Sequence, residues 1–234
     1  MLTCLAVQHP NTYVLGIDLE PLRRRPSTAP PNWEFRIMDA NDEWDFEDKF
    51  DFIHIRMFGD VPVKERLVQK VWDNLHPGGW VEFTEWIVDI QSPNGSLDGT
   101  AFQKWSIHLR EGLQRLGSSV FFPLQYKPVL EQAGFVQIEE RKHASPNNAC
   151  YPGKRLQRIG TLMAKMWLDV LEPISVPVFG ALGWTPSQLS ALLKEVYKEV
   201  GDTKYHSYMT LRMQGPAYDQ AAANERSGEG AAGP

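Results

Sequence analysis

The sequence predicts an α/β fold, a mostly parallel sheet with helices on both faces, and three observations carry that prediction. Short apolar runs at Tyr13–Asp18, Trp33–Met38 and Phe50–Ile55 have the length and alternation of strands. Two of them close on an aspartate, Asp18 and Asp39. A segment of helical period, Pro62 to Leu75, separates the third run from a fourth at Trp80–Val88. Strand, helix and strand in alternation is the pattern of a parallel sheet covered by helices.

Taken in order, residues 2–9 read as the last turns of a helix, with Leu2, Leu5 and Ala6 on one face. The Tyr13–Asp18 strand follows, and Pro21 breaks what comes after it. Arg23-Arg24-Arg25, ahead of Pro26, reads as a solvated loop rather than a binding or import signal. The acidic stretch from Asn41 to Asp48 is expected to be a loop or short helix with a solvated face, since its spacing does not match a calcium loop. In the next helix Val63, Leu67, Val71 and Leu75 recur every four residues, Pro62 suits the first turn, and His76-Pro77-Gly78-Gly79 is the stop. The second half is more helical. Phe102, Trp105, Leu109, Leu113 and Leu116 make one apolar stripe, and Leu156, Ile159, Leu162, Met163, Met166, Trp167 and Val170 make another. Between them Ala133-Gly134 ends a helix and Phe135–Ile138 starts a strand; Thr185-Pro186-Ser187-Gln188 is a capping box opening a last helix. His206–Met213 reads as the final strand. The expected organisation is one domain over residues 1–214, with helical cap segments at 102–125 and 151–185, and a disordered tail at 215–234.

Composition narrows the function classes. A net charge of −5 gives no electrostatic case for nucleic acid. The two cysteines, Cys4 and Cys150, offer neither a metal spacing nor a disulfide framework. No apolar run reaches the length of a membrane span, and Met1–Val7 is too short for a signal peptide. The chain is therefore expected in the cytoplasm or nucleus, with no metal and no membrane partner.

A carboxylate at the carboxyl end of a second strand can accept both hydroxyls of a ribose lying across the sheet edge, which suits Asp18; a turn-capping aspartate is the alternative. Asp39 ends the next strand, where it can accept adenine amino hydrogens or serve as a turn residue before Asn41 and Asp42. With the segments VLGIDLEP, PPNWEFRIMDANDEWDF, FDFIHIRMF, LHPGGWVEFTEW, LEQAGFVQIEE and LGWTPSQLSALL, the chain resembles the class I S-adenosylmethionine-dependent methyltransferases, and within them the LaeA-like group of filamentous fungi. The resemblance spans most of residues 9–213. It implies a seven-stranded Rossmann-like sheet, S-adenosylmethionine as cofactor, and a role in or around fungal secondary metabolism. It places the ribose on Asp18, the adenine beside Leu19 and Ala40, the adenine amino group on Asp39, and Arg56 on the cofactor floor. His54, inside an apolar strand, reads as a packed histidine rather than a base. The acceptor, a small molecule or a protein, is expected under the helical cap, with Trp105, Phe121, Phe122, Tyr126 and Tyr151 as candidate lining that also suits the core.

The family carries a first strand and a glycine-rich loop ahead of the segment that here begins at Tyr13, where only twelve residues stand. The expectation is that both are missing through an N-terminal truncation, and that this chain binds the cofactor poorly. Deleting a central strand would orphan ladder groups costing about 1–3 kcal/mol each, against a total stability of about 5–15 kcal/mol. Two functions follow: an enzyme transferring a methyl group to an unidentified acceptor, or a non-catalytic regulatory or scaffold protein with a protein partner. A nicotinamide dehydrogenase also places an acid after its second strand, but the Asp39 position and the Pro77-Gly78-Gly79 turn argue against it.

Overall fold

The computed structural model describes residues 2–22 and 29–217. The chain divides into two compact units, Met1–Asp48 and Lys49–Pro234. The Arg23–Arg25 knot lies outside the described residues, as does the tail from residue 218.

In the first unit, helix α1 (Leu2–Gln8) leads into β1 (Val14–Asp18), which pairs in parallel with β2 (Trp33–Ile37). Ala6 is buried, and Leu2 lies over Gly16, where an added Cβ would meet the leucine side chain at 2.1 Å. Asn32 ties the unit together: its Nδ2 donates to the carbonyls of Ala6 at 3.1 Å, His9 at 3.0 Å and Thr12 at 2.7 Å. Those carbonyls end a helix and turn the chain into a strand, so this one amide satisfies acceptors that regular structure leaves open.

The second unit is built on a four-stranded sheet in the order β3-β4-β6-β5. Strand β3 (Phe50–Arg56) runs parallel to β4 (Leu75–Gln91), with helix α2 (Lys64–Asn74) as the crossover. Strand β6 (Tyr208–Ala217) is antiparallel to both β4 and β5 (Val136–Pro146). The sheet is thus mixed rather than mostly parallel. Six strands in two sheets are present among the described residues, where the resemblance implies seven in one. Among those residues β1 pairs with β2 alone and β3 with β4 alone.

Helices cover both faces of this sheet. Phe83 and its face neighbours meet the short 3-10 turn Phe122–Gln125 and α4 (Tyr126–Ala133), where Phe83 stacks on Tyr126 at 4.5 Å. Trp86, Val88 and Ile90 point the other way, into a core made by α3 (Ala101–Arg115), α5 (Lys154–Ala181) and α6 (Pro186–Val200). Trp105, Trp167 and Phe179 are fully buried there. Trp105 Nε1 donates to Ser175 Oγ at 2.7 Å, so its one polar atom is satisfied inside the core. The Thr185–Gln188 capping box forms as expected.

Three boundaries differ from the sequence reading, each for a local reason. Helix α2 begins at Lys64, not Pro62; the Lys64 ammonium folds back onto Asp60 Oδ1 at 2.5 Å and the Val61 carbonyl at 3.1 Å. Strand β4 begins at Leu75 instead of Trp80. Phe50 faces Leu75 and Phe52 faces Trp80, so residues 76–79 are looped out as a wide bulge within one strand. Gly79 makes that bulge possible: a Cβ there would stand 2.8 Å from the His76 carbonyl oxygen and 3.1 Å from that of Asp51. Helix α5 lies within the helical segment expected over 151–185 and runs through Pro173 and Pro177, with Leu171, Ser175, Val178 and Phe179 buried along its second half. Finally, Gly215–Ala217 complete β6 rather than opening a tail. No helix among the described residues is long and apolar enough to cross a membrane.

Candidate functional site

The two carboxylates singled out in the first unit end neighbouring strands. Asp18 is the last residue of β1 and is exposed; β2 stops at Ile37, two residues short of the half-buried Asp39. Because β1 and β2 are parallel and in register, with Asp18 opposite Ile37, both acids stand at the same carboxyl edge. The Met38 amide donates to the Asp18 carbonyl at 2.9 Å and holds the two strand ends together. Each side chain spends one oxygen on its own turn. Asp18 Oδ1 accepts from the Glu20 amide at 3.2 Å, and Asp39 Oδ1 accepts from the Asn41 amide at 2.8 Å and Asn41 Nδ2 at 3.0 Å. Among the described residues neither Oδ2 takes a hydrogen bond. The turn reading of both aspartates is therefore realised, and the same turns fix each carboxylate so that its second oxygen can accept from a hydroxyl or amino group. Leu19 is 64% exposed, and the Ala40 carbonyl accepts from Trp44 Nε1 at 3.0 Å. The acidic residues of 41–48 are exposed, and among the described residues no group of three or more potential ligands could hold a metal ion.

Arg56 closes β3 in the second unit, exposed, opposite Thr84, and without an ion pair among the described residues. His54 Nε2 lies 3.3 Å from both Thr84 Oγ1 and Glu82 Oε1. Burial holds its pKa below the usual histidine range; Glu82 pulls it up, and the Arg56 charge adds to the lowering. The packed reading of His54 stands. Of the candidate lining residues, Trp105, Phe122 and Tyr126 are buried in the core, and Phe121 and Tyr151 are half-buried. A cleft of about 510 Å³ between α5 and α6 is lined by Val176, Trp184, Leu189, Leu193 and Tyr197, with Glu172 and Lys194 among its polar residues.

Sequence reasoning missed Glu85. It occupies the register of Val81, Phe83 and Ile87, all buried, and is itself only 3% exposed. Its Oε1 accepts from the Phe58 amide at 2.7 Å, and the Gly59 amide adds to the pull that this bond exerts on its charge. Burial lifts its pKa to about 7, against the lowering effect of those two amides. The alternation of β4 is the signal that could have found it, since a carboxylate in an otherwise apolar register must be paired or perturbed. Nearby, burial first, then the Glu85 and Asp60 charges, raise the Tyr126 pKa, and among the described residues its hydroxyl has no hydrogen-bond partner.

A family profile described as a methyltransferase domain matches residues 2–140. Among curated proteins, methyltransferase pytC of Aspergillus terreus is 28% identical over 197 residues, covering 83% of this chain and 60% of pytC. The probable methyltransferase tdiE of Emericella nidulans is 26% identical over 208 residues, covering 87% of this chain and 64% of tdiE. The secondary metabolism regulator laeA of Aspergillus flavus is 25% identical over 218 residues, covering 89% of this chain and 58% of laeA. The chain thus spans about 60% of the length of the curated relatives it matches.

Proposed function

The chain belongs to this methyltransferase domain family, and on that premise we propose that it works with S-adenosylmethionine, in methyl transfer to a small-molecule or protein acceptor in or around fungal secondary metabolism. The observation that carries the reading is the pair of turn-fixed carboxylates at one edge of β1 and β2, each with one oxygen uncommitted among the described residues. That donor set fits the nucleoside end of the cofactor. Asp18 would take the ribose hydroxyls and Asp39 the adenine amino group, with Leu19 and the Ala40 backbone against the ring. The cofactor supplies an electrophilic methyl group on a sulfonium. Transfer from such a group draws mainly on alignment with the acceptor, so the work left to this chain is holding and orienting. That a paired His54 offers no obvious base is compatible with this division of labour.

The test is a calorimetric titration of S-adenosylmethionine into the chain and into Asp18→Ala and Asp39→Ala. Each lost charge-assisted hydrogen bond should weaken binding about 10- to 100-fold. Equal affinity in all three proteins would remove these aspartates from the site. A second reading has one observation in its favour, that the relative laeA is named as a regulator: a non-catalytic protein that keeps the fold and acts through a protein partner. No heat from the unaltered chain, together with capture of such a partner, would favour it.

A further inference from the structure

The segment after β3 is held in an uncommon way. Met57 has a left-handed backbone, φ 55°, and Gly59 follows at φ 88°. A methionine at positive φ persists only where surroundings impose it, and here restraints act at both ends. The Met57 amide closes the sheet ladder on the Thr84 carbonyl at 3.0 Å. Asp60 is fixed on two sides, by Lys64 at 2.5 Å through Oδ1, and by Ser118 Oγ at 2.9 Å and the Ser119 amide at 3.0 Å through Oδ2. Between these anchors the Phe58 amide turns inward onto Glu85 at 2.7 Å, and the Gly59 amide adds to the favourable field on its carboxylate. Ligands of open α/β sheets bind outside the carboxyl ends of parallel strands, and this segment stands at that end of β3, level with Thr84 of β4.

We propose that Glu85 is a positioning residue: its buried carboxylate holds the Phe58 and Gly59 amides and so fixes the Met57–Asp60 segment as a wall of the ligand site at the carboxyl end of β3, a role that rests on the methyl-transfer reading above. A carboxylate buried without a cation is costly, and the groups around Glu85 leave it in that state. Tyr126 of α4 stands near it and carries no charge at neutral pH. Asp60 is spent on Lys64 of α2 and on the 118–119 turn. Arg212 of β6, its cross-strand partner, turns its guanidinium to Glu140 of β5. His54 and Arg56 of β3 lie opposite Glu82 and Thr84, so they face the other side of the sheet. Two backbone amides are thus its main compensation, and the segment's conformation answers to its ionisation.

The experiment is amide hydrogen exchange on the full chain and on Glu85→Gln and Glu85→Leu, at pH 5.5 and pH 8 with intrinsic rates removed, beside calorimetry with S-adenosylmethionine. In the unaltered protein Phe58 and Gly59 should be better protected at pH 8 than at pH 5.5. Glu85→Gln keeps an acceptor of the same shape and should lose that pH dependence, with exchange about 10-fold faster at pH 8. Glu85→Leu should speed it about 10- to 100-fold, while Met57, bonded to Thr84, stays protected in both. Affinity should fall in the same order. Equal protection of Phe58 and Gly59 in all three proteins overturns the proposal, as does loss at Met57 in step with them, which marks a general structural role. Unchanged affinity with altered exchange overturns the ligand half. Failure of the unaltered chain to bind, with exchange still governed by Glu85, overturns the ligand half and leaves the restraint standing.

Discussion

The two units use acidic side chains in opposite ways. In Met1–Asp48, Asp18 and Asp39 sit at strand ends within reach of solvent, each braced by amides two residues away in its own turn. In Lys49–Pro234, Glu85 sits inside the sheet face and is braced by amides 26 and 27 residues earlier. A carboxylate held by its own turn is placed without being consumed, and can recognise a ligand. A carboxylate held by a distant segment is consumed, and governs that segment instead. The contrast separates recognition from positioning, and it predicts that the two kinds of acid respond differently to substitution.

The largest effect should come from the core against which the second unit is built. Trp105→Ala removes a fully buried ring that meets Phe102 at 5.8 Å and Trp167 at 5.4 Å, and strips Ser175 of its donor. It should cost about 3–5 kcal/mol in a denaturant titration. A loss below about 1 kcal/mol would mean that the helical layer is not the second unit's main support, and the contrast would lose its footing.

Glu85→Gln comes next, and its sign is unusual. The folded carboxyl is raised from its ordinary value of 4.5 to about 7, so the folded state binds the proton more tightly than the unfolded one. Its contribution is most favourable at low pH and is lost as pH climbs from the unfolded value through about 7. That span corresponds to about 3 kcal/mol. Glu85→Gln should therefore leave urea stability near wild type at pH 4 and raise it by about 1–3 kcal/mol at pH 8. A buried charge kept against stability marks a site where order is retained for function. A variant that is weaker at pH 8 would show the two amides outweighing desolvation.

How legible was this in the sequence? The strand end at Asp18 and the Thr185 capping box are local patterns and were legible, whereas Asp39 lies two residues past the end of β2 and Leu116 of the α3 stripe is exposed. Glu85 was read only as part of a strand. Its place in the buried register of β4 was there in the strand's alternation, but its partner, the Phe58 amide, lies 27 residues earlier, outside any local window. Helix α5 falls inside the helical segment expected over 151–185, although it contains two prolines. Pro173 and Pro177 each remove a helical hydrogen bond, but Leu171 and Phe179 bury completely across them, and Ser175 bonds both the Leu171 carbonyl and Trp105. Tertiary packing outweighed the local signal. The mixed sheet was missed because antiparallel β6 enters from the chain's far end, between β4 and β5.

Asn32→Ala tests whether the first unit's order is as local as it looks. Its amide serves the Ala6, His9 and Thr12 carbonyls, all exposed or nearly so except at Ala6. The cost should be about 1–2 kcal/mol, read as faster exchange at β1 and β2 amides. Unchanged exchange there would mean that strand pairing alone sets the geometry of the two aspartates.

The smallest effect sharpens the contrast most. Asp18→Asn removes the charge while keeping an oxygen for the Glu20 amide, a 3.2 Å bond in an exposed turn. A surface change of this kind should shift stability by less than about 0.5 kcal/mol in either direction. If Asp18 is kept for recognition, that near-silence in denaturation must coexist with weakened binding of S-adenosylmethionine, because an amide cannot accept two hydroxyl hydrogens as a carboxylate does. Glu85→Gln should show the reverse order, a clear stability change with binding altered through the Met57–Asp60 segment. Stability loss at Asp18 comparable to that at Asn32 would instead make it a structural turn residue, and the recognition role would pass to Asp39 alone.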